Sequence, residues 1–183
     1  MKEFMKTQKI VIIGGVAGGA TAAAKARREN EFAEITIIEK GQYVSFANCG
    51  LPYYIGREIK DRNALLLQNP QGFWNRYKIK VLTGTTVTSI NRIKKLVNIK
   101  DSSGSSILKY DKLIISQGAT PLIPPIKGGE SEFVFSLRDM GDMDKIDHYI
   151  TSNNVRNSVV VGGGFIGLEM AEALIHRGIK NHS

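Results

Sequence analysis

The chain has 183 residues, of which 42% are hydrophobic, and its 25 Lys and Arg against 17 Asp and Glu give a net charge of +8 at pH 7. No apolar run approaches the roughly 18 residues that a membrane span needs, and the charged first residues are not followed by the apolar stretch of a signal peptide. Because the chain holds one cysteine, no internal disulphide can form, and we expect a cytoplasmic protein in a reducing compartment.

The first half of the chain opens with a predicted βαβ unit. Residues 9–13 are a β-branched run of the kind found in buried parallel strands, and two glycines follow it. Residues 20–29 are rich in strong helix formers, and residues 35–39 return as a second apolar strand. This order of elements is typical of a doubly wound α/β fold.

The turn between the first strand and the first helix predicts a dinucleotide site. Helix amide groups and the helix dipole can hold a pyrophosphate there. Val16 takes the place of the second fingerprint glycine, and Glu39, at the end of the second strand, is placed to accept hydrogen bonds from a ribose hydroxyl. A tight connection without a ligand is the alternative for the turn alone. The predicted turn comprises Gly14, Gly15, Val16, Ala17, Gly18 and Gly19.

The positive charge favours small anionic ligands. The basic residues are scattered and form no nucleic-acid motif, so phosphorylated small molecules explain the charge better. Thr21, Lys25 and Arg28 fall at i, i+4 and i+7 and therefore share one face of the first helix. That face is either solvated or holds a phosphorylated thiol.

The lone cysteine, Cys49, follows the second strand, at the carboxyl ends of the strands where ligands bind in such folds. Most lone cysteines are buried and inert. Here a helix beginning near Ala47 would place its amides against the sulphur and favour the thiolate. The position therefore predicts a redox-active thiol.

The middle of the chain is rich in predicted strands. A short helix around residues 73–77 leads into a strand at 79–82, and a small antiparallel meander and a further strand follow at residues 96–100, 107–110 and 113–115. Repeated prolines and glycines over residues 121–129 exclude both helix interiors and central strands, and they mark a linker.

The second half repeats the opening of a nucleotide fold. A helix is predicted over residues 139–151 and a strand over 158–161, followed by a helical pattern over 168–176. The glycines between strand and helix satisfy the dinucleotide fingerprint in full. We expect the chain to end before the next strand, and the residue that separates NAD from NADP to lie beyond Ser183. The fingerprint glycines are Gly162, Gly164 and Gly167.

Together these motifs resemble the pyridine nucleotide-disulphide oxidoreductases of the single-cysteine class, and among them the branch that reduces coenzyme A disulphide. The resemblance rests on residues 12–20, 45–53, 110–119 and 162–169. It implies an FAD/NAD(P)-binding Rossmann-like three-layer fold with a small antiparallel meander and a truncated second nucleotide domain. The implied divisions are an FAD-binding domain at 1–124, a linker with a connecting helix at 125–155, and the start of an NAD(P)-binding domain at 156–183.

The resemblance also implies roles for individual residues. FAD would contact the first glycine turn, Glu39, Lys40, Val87 and Gly118, and NAD(P)H would bind the second turn, with Glu169 near the nicotinamide and the flavin. Cys49 would form a mixed disulphide with coenzyme A, which reduced flavin then resolves. The coenzyme A site would be lined by Thr21, Lys25, Arg28, Ser45 and Asn48.

Three alternatives stay open. Coenzyme A persulphide or polysulphide would use the same thiol and pocket. An NADH oxidase or peroxidase would cycle Cys49 through sulphenic acid, although Ala17 stands where those enzymes carry a histidine and Asn48 fits the disulphide reductases better. A third possibility is a nucleotide-binding fragment without turnover, because the resemblance implies that the homodimeric full-length proteins carry the rest of the NAD domain and a dimerisation domain in addition. His148, His176 and His182 have no metal-ligand spacing, so no metal site is predicted.

Overall fold

The computed structural model describes residues 7–182. Within them no helix has the length and apolar character that crossing a membrane requires. The chain also forms two short 3₁₀-helices, at Asn48–Gly50 and Arg62–Leu65. In chain order the helices and strands are β1 (Lys9–Ile13), α1 (Ala17–Glu29), β2 (Glu34–Ile38), α2 (Leu51–Ile55), α3 (Pro70–Tyr77), β3 (Ile79–Leu82), β4 (Thr86–Asn91), β5 (Leu96–Asp101), β6 (Gly104–Lys109), β7 (Lys112–Ile115), α4 (Met140–Ser152), β8 (Asn157–Val159), α5 (Phe165–His176) and β9 (Lys180–His182).

The described residues form two compact units. The first unit comprises residues 7–46 and 66–118, and the second comprises residues 47–65 and 119–182. The second unit thus includes the segment that carries the cysteine. The functional domain limits at residues 124 and 155 stay a prediction.

The first unit is built on a parallel sheet with the strand order β3-β2-β1-β7. In the register, Ile12 of β1 lies beside Ile37 of β2 and Ile114 of β7. On one face of this sheet, α1 and α3 bury an apolar layer that includes Ile12, Ala23, Ile37 and Phe73. Small alanines on α1 let the helix approach the branched side chains of the strands closely, which is the packing expected of a βαβ unit.

The other face of the sheet is covered by the antiparallel meander β4-β5-β6. Val97 and Ile99 of β5 pack on Val11 and Ile38, and they are buried because alternate residues of a strand share one face. The result is the three-layer α/β arrangement that the resemblance implied, with helices, parallel sheet and meander stacked in that order.

A hydrogen-bonded turn joins β5 to β6. The Asp101 carboxylate accepts from the Ser103 hydroxyl at 2.6 Å and from the backbone N–H groups of Ser103 and Gly104 at 2.8 and 3.2 Å. These bonds, the one from the Ser103 side chain foremost, hold the pKa of Asp101 below its ordinary value.

The second unit contains a short βαβ unit of its own. Asp139 caps α4 by accepting a hydrogen bond from the N–H of Asp142 at 3.0 Å. Strand β8, helix α5 and strand β9 follow, and β9 pairs in parallel with β8, with Val159 beside His182.

Two sequence-based expectations need correction. The chain was expected to end before the second strand of this unit, yet β9 forms; its residues are polar, so no apolar pattern marked it, and pairing with β8 creates the strand. The second case is β4, which the sequence did not predict. Its residues Thr86–Asn91 carry few apolar side chains, and the ladder to β5 stabilises it.

Candidate functional site

The first glycine turn closes tightly on the ends of β1 and α1. The N–H of Gly14 donates to the carbonyl of Ile38 at 2.8 Å, and Gly14 has a φ of +97°, which favours glycine. A Cβ at Gly19 would lie 1.7 Å from the carbonyl oxygen of Gly14. Helix α1 follows with Val16 at its N-cap and without a side-chain cap. The first-turn amides of α1 are therefore left without a capping side chain, as an anion site at a helix N-terminus requires.

Glu39 lies beside this turn, as its spacing predicted. Its carboxylate accepts hydrogen bonds from the N–H groups of Gly15 and Gly41, each at 2.7 Å. Because each carboxylate oxygen has two lone pairs, both oxygens keep acceptor capacity for a ribose hydroxyl. Two backbone donors thus fix the orientation of the Glu39 carboxylate, the group that is predicted to bind the ribose.

Ser45 also contacts the first turn. Its N–H donates to the carbonyl of Gly15 at 2.9 Å, and its own carbonyl accepts from Leu67 at 3.0 Å. Its φ of +47° is uncommon for a residue other than glycine. Two hydrogen bonds hold this strained backbone, and such strain is often found at ligand sites.

Ser116 is a turn neighbour that the sequence did not indicate. A Cβ at Gly18 would lie 2.5 Å from its Oγ, and one at Gly14 would lie 2.1 Å from its carbonyl oxygen. Ser116 follows β7, whose carboxyl end lies next to that of β1 in the sheet. The apolar strand β7, which directly precedes Ser116, was the sequence signal that could have placed this residue at the same edge of the sheet as the first turn.

The remaining predicted residues of the first unit lie in two loops, on β4 and on α1. Lys40 is exposed directly after Glu39, Val87 is half-buried on β4, and Gly118 is exposed with a φ of +70°. The face of α1 carries exposed Thr21, Lys25 and Arg28, and the Lys25 ammonium pairs with Glu29 one helical turn further on.

Cys49 belongs to the second unit, where it is exposed. It lies in the 3₁₀-helix Asn48–Gly50, and the regular α-helix begins two residues later, at Leu51. A Cβ at Gly50 would lie 2.4 Å from Cδ2 of Leu65. The 3₁₀ turn that holds Cys49 therefore packs closely against Leu65. The Asn48 amide donates to the carbonyl of Arg138 at 3.4 Å.

The second glycine turn is tight at one point and open elsewhere. Gly162 has a φ of +112°, and a Cβ at Gly167 would lie 2.1 Å from its carbonyl oxygen. Around Gly162, Gly163 and Gly164 no atom of the described residues lies within 4 Å of such a Cβ. Helix α5 has no side-chain cap, and Glu169 is half-buried in its second turn.

Arginine–carboxylate contacts join residues 47–65, which carry the cysteine, to α4 and to the end of α5, and no sequence motif predicted them. Arg62 binds Asp144, and Arg57 and Arg177 share Asp147. The partners lie far apart along the chain, so no spacing pattern linked them. Among residues 7–182 no group of three or more His, Cys, Asp or Glu side chains is arranged to hold a metal ion.

Comparison with known proteins gives one family. The family model described as pyridine nucleotide-disulphide oxidoreductase matches residues 8–182. A coenzyme A disulfide reductase of Staphylococcus aureus (strain JH9) is 40% identical over 173 residues, which are 93% of this chain and 39% of that protein. The chain therefore spans about two fifths of the length of this curated relative.

Solved structures share the fold, among them the following two. The crystal structure of reduced Bacillus anthracis CoADR-RHD matches with a TM-score of 0.93 and 43% identity, covering 98% of this chain and 33% of that one. An NAD-dependent persulfide reductase from A. fulgidus matches with a TM-score of 0.91 and 39% identity, covering 95% of this chain and 32% of that one. The α/β fold predicted from the sequence is thereby confirmed.

Proposed function

Since the chain belongs to the pyridine nucleotide-disulphide oxidoreductase family, we propose that it is part of an FAD-dependent NAD(P)H:disulphide oxidoreductase that reduces coenzyme A disulphide through Cys49. The observation that carries the proposal is the match of 93% of the chain to a coenzyme A disulfide reductase. Its only cysteine is exposed on a short 3₁₀-helix.

The residues of the first turn fit FAD. The uncapped first turn of α1 suits the pyrophosphate, and the carboxylate of Glu39, held by Gly15 and Gly41, suits the ribose. Lys40, Val87 and Gly118 are proposed as further FAD contacts.

The second turn fits NAD(P)H. Gly162, Gly164 and Gly167 leave its backbone open to a pyrophosphate, and Gly167 allows α5 to approach the turn. Glu169 is proposed to lie near the nicotinamide.

The proposed chemistry starts at the sulphur of Cys49. Its thiolate attacks one sulphur of coenzyme A disulphide, so that a Cys49–coenzyme A disulphide forms and one coenzyme A thiolate leaves. FAD and NAD(P)H, when bound, supply the two electrons that cleave this mixed disulphide into two thiolates. Asn48 and Ser45 are proposed to position the reacting thiol and its substrate.

The face of α1 is proposed to bind the phosphates of coenzyme A. Thr21, Lys25 and Arg28 are exposed on that helix, and Arg28 makes no hydrogen bond or ion pair within residues 7–182. A phosphate would compete with Glu29 for the Lys25 ammonium, and the guanidinium of Arg28 suits bidentate phosphate binding.

Reduction of a persulphide is the second candidate, because an NAD-dependent persulfide reductase is 39% identical over 95% of the chain. Both reactions use an attacking thiol at the same position. We also propose a homodimeric assembly and a cytoplasmic location, which a single unpaired cysteine suits.

A spectrum and a set of rate measurements test the function. Purified protein should show flavin absorption and oxidise NADH or NADPH with coenzyme A disulphide faster than with a persulphide, oxygen or peroxide. Preference for persulphide would favour the second candidate, and preference for oxygen or peroxide the oxidase. A chain that binds FAD without oxidising either nucleotide would be a nucleotide-binding piece, and a colourless protein contradicts the proposal.

The variant Cys49→Ser tests the thiol. We expect disulphide reduction to be lost, with flavin binding retained, because a hydroxyl cannot form the mixed disulphide. Ser105→Ala, at an exposed position of β6, is the control and should leave both properties unchanged. Unchanged disulphide turnover in Cys49→Ser would reject the mechanism.

A further inference from the structure

The cysteine segment, residues 47–65, is held on α4 by one carboxylate that serves two arginines. Nη2 of Arg57 lies 2.9 Å from Oδ1 of Asp147, and Nη1 of Arg177 binds the same oxygen. Arg177 also donates to the carbonyl of Ile55, the last residue of α2, at 3.1 Å. Asp147 therefore joins the end of the cysteine segment's helix to the end of α5.

The burial of Asp147 and Arg177 makes their contact stronger than an ordinary surface ion pair. Its side chain is 19% exposed and that of Arg177 10% exposed. Screening by water is weak at such burial, and charge-assisted hydrogen bonds are the strong ones. Arg177 also donates to the hydroxyl of Thr151 at 2.7 Å, so its guanidinium is fixed from both sides.

A second pair fixes the carboxyl-terminal part of the segment. Nε and Nη2 of Arg62 each donate to one carboxylate oxygen of Asp144 at 2.7 Å, a bidentate geometry. Asp144 and Asp147 are three residues apart on α4 and share one face of that helix. The two carboxylates form one anchoring surface for residues 47–65.

Close backbone packing adds to the anchor. Ile55 is fully buried, and a Cβ at the next residue, Gly56, would lie 3.0 Å from Cα of Ala173 on α5. The carboxyl end of α2 thus rests directly on α5.

Helix α2 has five residues, too few to be stable alone. Its position depends on these tertiary contacts, and Cys49 lies only two residues before its start. We propose that Asp147 is a positioning residue for Cys49: through Arg57 and Arg177 it fixes α2, and with it the place of the thiol. The importance of this position for turnover rests on the proposed function.

Because Cys49 is the only cysteine, a nitroxide attached to it reports its mobility without further mutation. We compare the labelled 183-residue chain with Asp147→Asn by electron paramagnetic resonance. The rotational correlation time of the label should fall at least about twofold in Asp147→Asn, because α2 then opens locally. Glu172→Gln, which removes an exposed α5 carboxylate without an ion pair in residues 7–182, should leave the spectrum unchanged.

An unchanged label spectrum in folded Asp147→Asn would overturn the proposal, even if its melting temperature fell. If Asp147→Asn loses its helical circular dichroism, Arg57→Gln is tested instead. This substitution is milder, because the Arg57 side chain is 45% exposed and makes only one of the two arginine contacts with Asp147. We expect a smaller increase in label mobility there, and an immobile label overturns the proposal. A mobile label in Asp147→Asn, together with unlabelled protein that reduces no disulphide, would reject the proposed function and keep the positioning role.

Discussion

Gly14 leaves no room for a side chain at the end of β1. Two independent reasons act there, a φ of +97° and a carbonyl oxygen of Ser116 that would lie 2.1 Å from an added Cβ. Gly104 has a φ of +132° but nothing within 4 Å of an added Cβ. Comparing substitutions at these two glycines therefore distinguishes the cost of backbone strain from the cost of steric overlap.

Gly14→Ala should lower the free energy of unfolding by at least about 3 kcal/mol, because backbone and side-chain costs add. Gly104→Ala should cost about 1–2 kcal/mol, from the backbone alone. Urea unfolding followed by circular dichroism measures both. Equal losses in the two variants would show that the contact with Ser116 relaxes without cost.

At the same scale, sequence and structure differ in which residues they reveal. The placement of Glu39 beside the first turn followed from its distance along the chain from that turn, since the residue at the carboxyl end of the second parallel strand lies at the same edge of the sheet as the turn after the first strand. Asp147 had no such signal, because Arg57 and Arg177 lie on either side of it in the chain, 90 and 30 residues away.

Among the elements, the ends of α1 and α3 are joined by one side chain. Nε of Arg27 donates to the carbonyl of Tyr77 at 2.8 Å, and Nη1 donates to the carbonyl of Glu31 at 2.6 Å. Its remaining bonds reach the carbonyls of Asn30 and Lys78 at 3.3 and 3.2 Å. The flat guanidinium fork thus satisfies carbonyls that helix ends leave without partners.

Arg27→Lys should lower the free energy of unfolding by about 1–2 kcal/mol, because an ammonium keeps the charge but cannot reach all four carbonyls. Its neighbour provides the control. Arg28→Lys, at an exposed position, should change stability by less than about 0.5 kcal/mol. Thermal and urea unfolding compare the two, and equal stabilities would mean that the fork contributes nothing.

Elements with strong local patterns were predictable. β1, β3 and α4 appear at or within one residue of their predicted limits, since apolar runs and caps are local signals. β4 and β9 carry mostly polar residues, so only their pairing with β5 and β8 makes them strands. The start of α5 at Phe165 lies three residues before its predicted start, because three turn glycines hid it.

For the molecule as a whole, residues 119–135 lie in the longest stretch of the described residues 7–182 that has no helix or strand. The side chains of residues 119–135 are almost all exposed, and Lys127 is the one basic residue among them. Exposed chain without regular hydrogen bonding is where proteases cut first.

Trypsin should therefore make its first cut after Lys127, and Lys127→Gln should delay the appearance of the first fragments. Mass spectrometry of a time course identifies the cut. Lys109→Gln, which removes a basic residue within strand β6, should leave the order of cuts unchanged. A first cut in the β4–β5 turn would show that this turn opens more readily.

The sequence by itself predicted the two strand–glycine turn–helix units, the β5–β6 hairpin and the candidate thiol, because each depends on residues that are neighbours in the chain. It also pointed to the family through motifs at 45–53 and 162–169. Only the tertiary structure showed that residues 47–65 belong with 119–182, that Ser116 borders the first turn, and that Asp147 anchors the cysteine's helix. These contacts join residues up to 122 positions apart, and no local pattern encodes which distant surfaces will meet when the chain buries its apolar side chains.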